Sequence, residues 1–173
     1  AREMTGYYFD SRTFRDRKVR SLSHEHKWLW AALLAGEQRT RLPGLIQCRV
    51  PSLADEVQIT VEDALTGLAK LEAVEMIRYD RENDLIQVAN APRYNTCPNA
   101  NVLRAWYGVW EELPHCPLKY EHIRVLVCSV NLQTASMAEA WSATFGSVLR
   151  AWEDQVPDIR AYARQLRSRW WSP

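Results

Sequence analysis

The sequence predicts a mainly helical α+β chain, and three observations carry that prediction. Two helix-start motifs, Ser52-x-x-Asp55 and Thr60-x-x-Asp63, follow each other in quick succession. In each a hydroxyl and a carboxylate can satisfy free N–H groups at a helix start. The spacing of apolar residues then changes from the 3.6 of a helix to the 2 of a strand. The last forty residues, finally, hold the most regular helical spacing in the chain.

Composition sets the frame. A chain of 173 residues makes one ordinary domain or two small ones, and 47% apolar with 25% charged is the balance of a soluble globular protein. Eight tryptophans is a high count, and such side chains usually anchor cores or interfaces. Ala1 to Phe9 carries no apolar signal-peptide segment, and no apolar run approaches the ~20 residues that span a bilayer. The expected location is the cytoplasm, with no membrane partner. Cys48, Cys97, Cys116 and Cys128 form no C-x-x-C pair and read as buried thiols. A metal set drawn from Cys97, His115, Cys116 and His122 matches no zinc-ribbon or finger spacing, so neither a metal nor a cofactor is expected.

The elements follow in order. Leu22 to Ala35 reads as a helix, with Ser23 to cap it and Gly36 to end it. Leu22, Leu29, Ala32 and Leu33 form its apolar stripe, which Trp28 and Ala31 widen. After a turn at Pro43-Gly44, Leu45 to Val50 suits a short strand. Ser52 opens a helix of about two turns, and Thr60 opens a longer one with Val61, Ala64, Leu65, Leu68 and Leu71 inward. Ile77 and Tyr79, then Ile86 and Val88, alternate with polar residues around the turn-forming Arg81-Glu82-Asn83-Asp84. Two helices joined by a tight turn and followed by a hairpin are the pattern of a winged helix-turn-helix over residues 22–90.

Beyond Pro92 a polar connection leads to Asn101, which can cap a helix carrying Val102, Trp106, Val109, Trp110 and Leu113 up to Pro114. Tyr120 to Val130 suits either a helix or a buried strand, and helix is the reading chosen. Ser136-x-x-Glu139 then opens one long helix with Met137, Ala140, Trp141, Thr144, Phe145, Val148, Leu149 and Trp152 on one face, closed by Pro157. A last helix, capped by Asp158, puts Arg160, Arg164 and Arg167 opposite Ile159, Tyr162, Ala163 and Leu166. The organisation expected is a winged-helix domain with a basic N-terminal segment over 1–95, and a helical region over 96–173.

Net charge is only +1, but its distribution is uneven. Arg12, Arg15, Arg17, Lys18 and Arg20 crowd one end, and Arg160, Arg164, Arg167 and Arg169 the other. Such ends suit an anionic partner or a solvated surface. The residues expected to meet DNA are Arg15, Arg17, Lys18, Thr60, Thr66, Lys70, Arg78, Arg81, Arg160, Arg164 and Arg167. The second helix of the pair is a poor electrostatic match for DNA, since Glu62, Asp63 and Glu72 accompany Thr66 and Lys70. A winged helix used for protein contacts is therefore an equal reading. Trp170 and Trp171 suit stacking on unpaired bases or covering an apolar seam.

Several stretches together carry a resemblance. They are Asp16-Arg17-Lys18-Val19-Arg20-Ser21-Leu22-Ser23, Leu42-Pro43-Gly44-Leu45, Ser52-Leu53-Ala54-Asp55-Glu56 and the hairpin ending Val88-Ala89-Asn90. The most distinctive is Tyr94-Asn95-x-x-Pro98-Asn99-x-Asn101-Val102, with the tryptophan helix ending Glu112-Leu113-Pro114. Phe9 through Leu126 thereby resembles phage and bacterial replication-initiator or replisome-organiser proteins with a DnaD-like N-terminal winged helix. The resemblance implies a non-enzymatic role in DNA replication: binding DNA (duplex, with single strands as a further ligand), self-associating, and recruiting a replicative helicase or its loader. In such domains glycine usually ends the recognition helix, whereas this chain reads Ala73-Val74-Glu75-Met76. The last forty residues lie outside the resemblance. A protein-interaction or dimerisation module is the alternative, and a transcription regulator a further one. The histidines are scattered and no glycine-rich phosphate loop is present, so an enzyme is not expected.

Overall fold

A computed structural model describes residue 13 and residues 15–155 of the chain. The final helix expected after Asp158, with Arg160, Arg164 and Arg167, and the tryptophan pair Trp170 and Trp171, lie outside the described residues, as does Arg12. The described part is mainly helical with one small antiparallel sheet. Its elements are α1 (Arg17–Arg20), α2 (His24–Ala35), β1 (Leu45–Gln47), α3 (Val50–Val57), α4 (Val61–Ala73), β2 (Ile77–Asp80) and β3 (Leu85–Val88). Then come α5 (Ala100–Glu112), α6 (Pro117–Leu126), α7 (Ala135–Ala143) and α8 (Phe145–Gln155). Short 3₁₀ turns at Ala91–Tyr94 and Val127–Ser129 join them.

The sheet has the order β1-β3-β2. Ile46 faces Ile86 across one ladder, and Ile77 and Tyr79 face Val88 and Ile86 across the other. These side chains point to one face, where they join Leu29 and Leu33 of α2, Leu53 of α3, and Leu68 and Leu71 of α4 in an aliphatic core. The other face is covered as well. Leu45 and Leu85 join Trp106, Trp110, Ile123, Leu126 and Phe145 in a second, aromatic core. The alternation along β3 is the one the sequence predicts, yet Gln87 is buried rather than solvated, because α6 packs beneath it.

Several boundaries shift for identifiable reasons. The helix expected at Ser52 starts at Val50, with Arg49 as a cap that makes no side-chain bond, because Pro51 favours the first turn of a helix. Val50 is therefore helical, and β1 ends at Gln47. Asn99, not Asn101, caps α5; its side chain accepts from the Asn101 and Val102 N–H groups, both at 3.0 Å. Ser136 does not cap α7 either, since the chain enters that helix at Thr134 after a turn held by Asn131 Oδ1 and the Gln133 N–H.

The single long helix expected from Met137 to Trp152 is broken at Thr144, whose φ and ψ are −118° and −108°. The Thr144 hydroxyl donates to Ala140 O at 2.6 Å, and Gly146 lets the chain approach Trp141, where a Cβ would stand 2.9 Å from the carbonyl oxygen. The apolar face survives the break: Met137, Ala140 and Phe145 are buried. Helix is confirmed for Tyr120 to Leu126, followed by the 3₁₀ turn.

Three apolar side chains expected inside are outside. Trp28 is 70% exposed, Val61 44% and Leu65 46%. Gly67 explains the α4 pair. It lets α2 come so close that a Cβ there would lie 2.6 Å from the Leu29 side chain, which turns the Gly67–Leu68 side of α4 inward. Leu29 occupies the core from α2, and Trp28, about 100° round the helix, faces away.

Candidate nucleic-acid interface

From Arg15 onward the basic N-terminal segment is fixed to the fold. Asp16 caps α1, accepting from the Lys18 N–H at 2.7 Å, and Val19 and Leu22 are buried in the aliphatic core. Anchoring by Val19 leaves Arg15, Arg17, Lys18 and Arg20 exposed on the same short stretch. The Lys18 ammonium lies 4.0 Å from a carboxylate oxygen of Glu75, which sets α1 beside the C-terminal end of α4. Glu75 has a φ of +58°, the left-handed conformation that glycine takes more cheaply. The backbone thus makes the turn that glycine would make, at the position where the sequence lacks one.

Charge is polarised along α4. Glu62 and Asp63 stand exposed in its first turn, where they suit the helix dipole and repel phosphate. Thr60 is committed to the cap: its hydroxyl accepts from the Asp63 N–H at 3.0 Å and donates to Asp63 Oδ2 at 2.6 Å. Thr66 and Lys70 are exposed, as the sequence predicts for the outward face. Lys70 in the last turn, Lys18 beside Glu75 and Arg81 beside Glu72 gather at the opposite, C-terminal end.

The hairpin arginines are held by carboxylates. Arg81 meets Glu72 at 2.5 Å and lies over the Tyr79 ring, 5.0 Å from its centre. Glu72 also accepts from the Tyr79 N–H at 3.1 Å, so one carboxylate ties the hairpin to α4. Arg78 points to the other face of the sheet and donates to Glu121 of α6, which is buried. Arg78 is therefore a fastener between the sheet and α6. Nothing local in the sequence pairs these two residues, which lie 43 positions apart. The hairpin tip is closed by Asp80, whose side chain accepts from the Glu82 and Asn83 N–H groups.

Behind the sheet runs a buried polar seam. His122 Nε2 donates to Pro43 O at 2.9 Å, since a carbonyl can only accept, and Nδ1 accepts from the Gln87 amide at 3.0 Å. Burial lowers the His122 pKa from 6.5 to about 4. Lys119 is buried beneath the Trp110 ring and donates to Glu111 O and Leu113 O at the end of α5; burial lowers its pKa. Cys48, Cys97 and Cys116 are buried, which raises their thiols, Cys48 to about 11, whereas Cys128, expected inside, is exposed. Among the described residues no group of His, Cys, Asp or Glu could hold a metal ion, and no helix is long and apolar enough to cross a membrane.

No protein family, curated protein or solved structure matches the chain.

Proposed function

We propose that residues 22–90 form a winged helix and that the protein binds DNA mainly through phosphate contacts. The order α2, β1, α3, α4, β2, β3 with strand order β1-β3-β2, and the three-residue step from α3 to α4, support the first part. The anchoring of α1 by Val19 carries the second. It turns Arg15, Arg17, Lys18 and Arg20 from a charged tail into a fixed cationic ridge beside the C-terminal end of α4. In this reading Lys70, Arg81 and Thr66 extend the ridge, Thr60 serves the fold, and Arg78 serves the sheet. The resemblance of Phe9 through Leu126 to replication initiators supports a role in DNA replication, with helicase or loader recruitment as its purpose.

The test is titration of labelled duplex and single-stranded DNA at low and moderate salt. Binding at low salt that weakens steeply as salt rises is expected, because neutralising phosphates releases counterions. Absence of binding at low salt would overturn the reading. Changing Arg160, Arg164 and Arg167 together to Ala is expected to weaken binding more than Lys70→Ala, and the reverse order would place the grip on α4.

A further inference from the structure

Gly67, midway along α4, lets α2 come close, and a histidine rests there. A Cβ at Gly67 would lie 2.9 Å from His26 Cδ2 and 3.4 Å from its Nε2, so the imidazole packs on the α4 backbone. His26 is half-buried, and among the described residues none hydrogen-bonds either of its ring nitrogens. The contrast with His122 is direct, since that ring spends both nitrogens inside the fold. Packing alone fixes His26, and its polar atoms are left for something outside.

Its place on α4 follows from its neighbours. Leu29 packs on the same glycine and is fully buried, so His26 takes the outer side. Asp63 and Lys70 stand about one turn before and after Gly67 and are exposed, whereas Ala64 and Leu71 beside them are buried. His26 therefore lines the edge of the exposed stripe that carries Thr66 and Lys70. Glu25, next to it on α2, is exposed and interacts with it electrostatically, and His24 and Lys27 flank the pair. On α4, Asp63 is turned to its cap, where Oδ2 accepts from the Thr60 hydroxyl. Lys18 of α1 lies beside Glu75 past the end of α4, and α3 brings Glu56 to the far end of α2, at the Glu37 N–H.

A neutral imidazole has one N–H to give, whereas an imidazolium has two and a positive charge. Histidine is the side chain whose charge ordinarily changes between about pH 5 and 8, and a nearby anion favours its charged form. Resting on the DNA reading above, we propose that His26 is a proton-dependent phosphate contact at the edge of α4. A phosphate oxygen accepts from its imidazolium, so the protein takes up a proton as it binds DNA and binds more tightly as pH falls.

The test titrates a labelled duplex with the full-length protein at pH 8 and pH 6, each over a range of salt. Affinity is expected to rise about two- to fivefold at the lower pH, the scale of one exposed ion pair, and the salt slope to steepen by up to about 1. His26→Gln should keep the binding seen at pH 8 and lose the gain at pH 6, whereas His24→Gln, on the same helix, should keep the gain. In isotope-labelled wild-type protein at pH 7, saturating duplex should move the His26 Cε1 proton resonance toward its charged-form position, a readout that needs no variant. A gain at pH 6 that His26→Gln retains or His24→Gln removes, or a resonance that saturating duplex leaves in place, would overturn the proposal while leaving DNA binding intact. No binding at either pH, even at low salt, would overturn the DNA reading and the proposal with it.

Discussion

The two faces of the central sheet are covered by cores of different character. Against Ile46, Ile77, Ile86 and Val88 lie leucines, valines and alanines from α2, α3 and α4, with little polar chemistry among them. Against Leu45 and Leu85 lie packed aromatic rings, Trp110 stacked with Tyr107 and edge-to-face with Tyr120 and Phe145, and a seam of buried polar groups, Gln87, Lys119, Glu121 and His122. The first core needs only the right apolar spacing. The second needs particular partners, because each buried polar group must find a donor or acceptor. One face therefore tolerates exchange of apolar side chains, and the other fixes how α5 and α6 seat on the sheet.

The largest expected effect tests whether the two cores unfold together. Trp110→Ala removes the centre of the aromatic cluster and the lid over Lys119, at a cost of about 3–5 kcal/mol. Urea unfolding followed separately in α2 and α5 should show one shared transition at a lower midpoint. An unchanged midpoint in α2 would mean that the sheet does not couple the two faces.

Acid should act through the seam. The folded pKa of His122, about 4, is below its ordinary 6.5, so the unfolded chain binds the extra proton between those values. The resulting stability is fully present above pH 6.5 and is lost as pH falls toward 4, amounting to about 3 kcal/mol. Denaturant midpoints from pH 7 to pH 4 should fall accordingly, and His122→Gln should flatten much of that fall. An equal fall in the variant would assign it to other groups.

A smaller effect separates the two carboxylate-held arginines. Glu72→Gln should release Arg81 on the solvent side and strengthen DNA binding about two- to five-fold, the scale of an exposed ion pair. The gain should vanish in a double variant that also carries Arg81→Ala. Smallest of all, Glu75→Gly should stabilise the fold by about 0.5–1 kcal/mol, by relieving a left-handed side chain, with no effect on the aromatic face. A lower thermal midpoint in Glu75→Gly would contradict the strain argument.

The same contrast explains what was legible in the sequence. Around the aliphatic core, helical spacing in Leu29 and Leu33, the Thr60 cap and the switch to period 2 after α4 all read directly, because each is a signal within one element. Interior and surface were confused at element edges: Leu65 and Trp28 sit about 100° from the buried Ala64 and Leu29, and Val61 opens α4 one turn ahead of its first buried residue. Around the aromatic core the apolar faces were legible, but the buried polar groups were not. Lys119, Glu121 and His122 look like a solvated face of α6 until Leu113 O, Arg78, Gln87 and Pro43 O are brought to them from elsewhere in the chain. Helix starts failed where a hydroxyl near the start looked like a cap, at Ser52 and Ser136, since backbone entry from Arg49 and Thr134 decides the first turn. Within the candidate interface the clustered cations were legible. The Val19 anchor that fixes them and the carboxylates that hold Arg78 and Arg81 were not, because both depend on contacts between elements.

The salt dependence of DNA binding tests the central claim most directly. Arg17, Lys18 and Arg20 changed together to Ala should lower the slope of log affinity against log salt by about 2–3, against about 1 for Lys70→Ala. That outcome would place the grip on the ridge fixed by α1. A larger loss from Lys70→Ala than from the triple variant, or a slope the triple variant leaves unchanged, would contradict it.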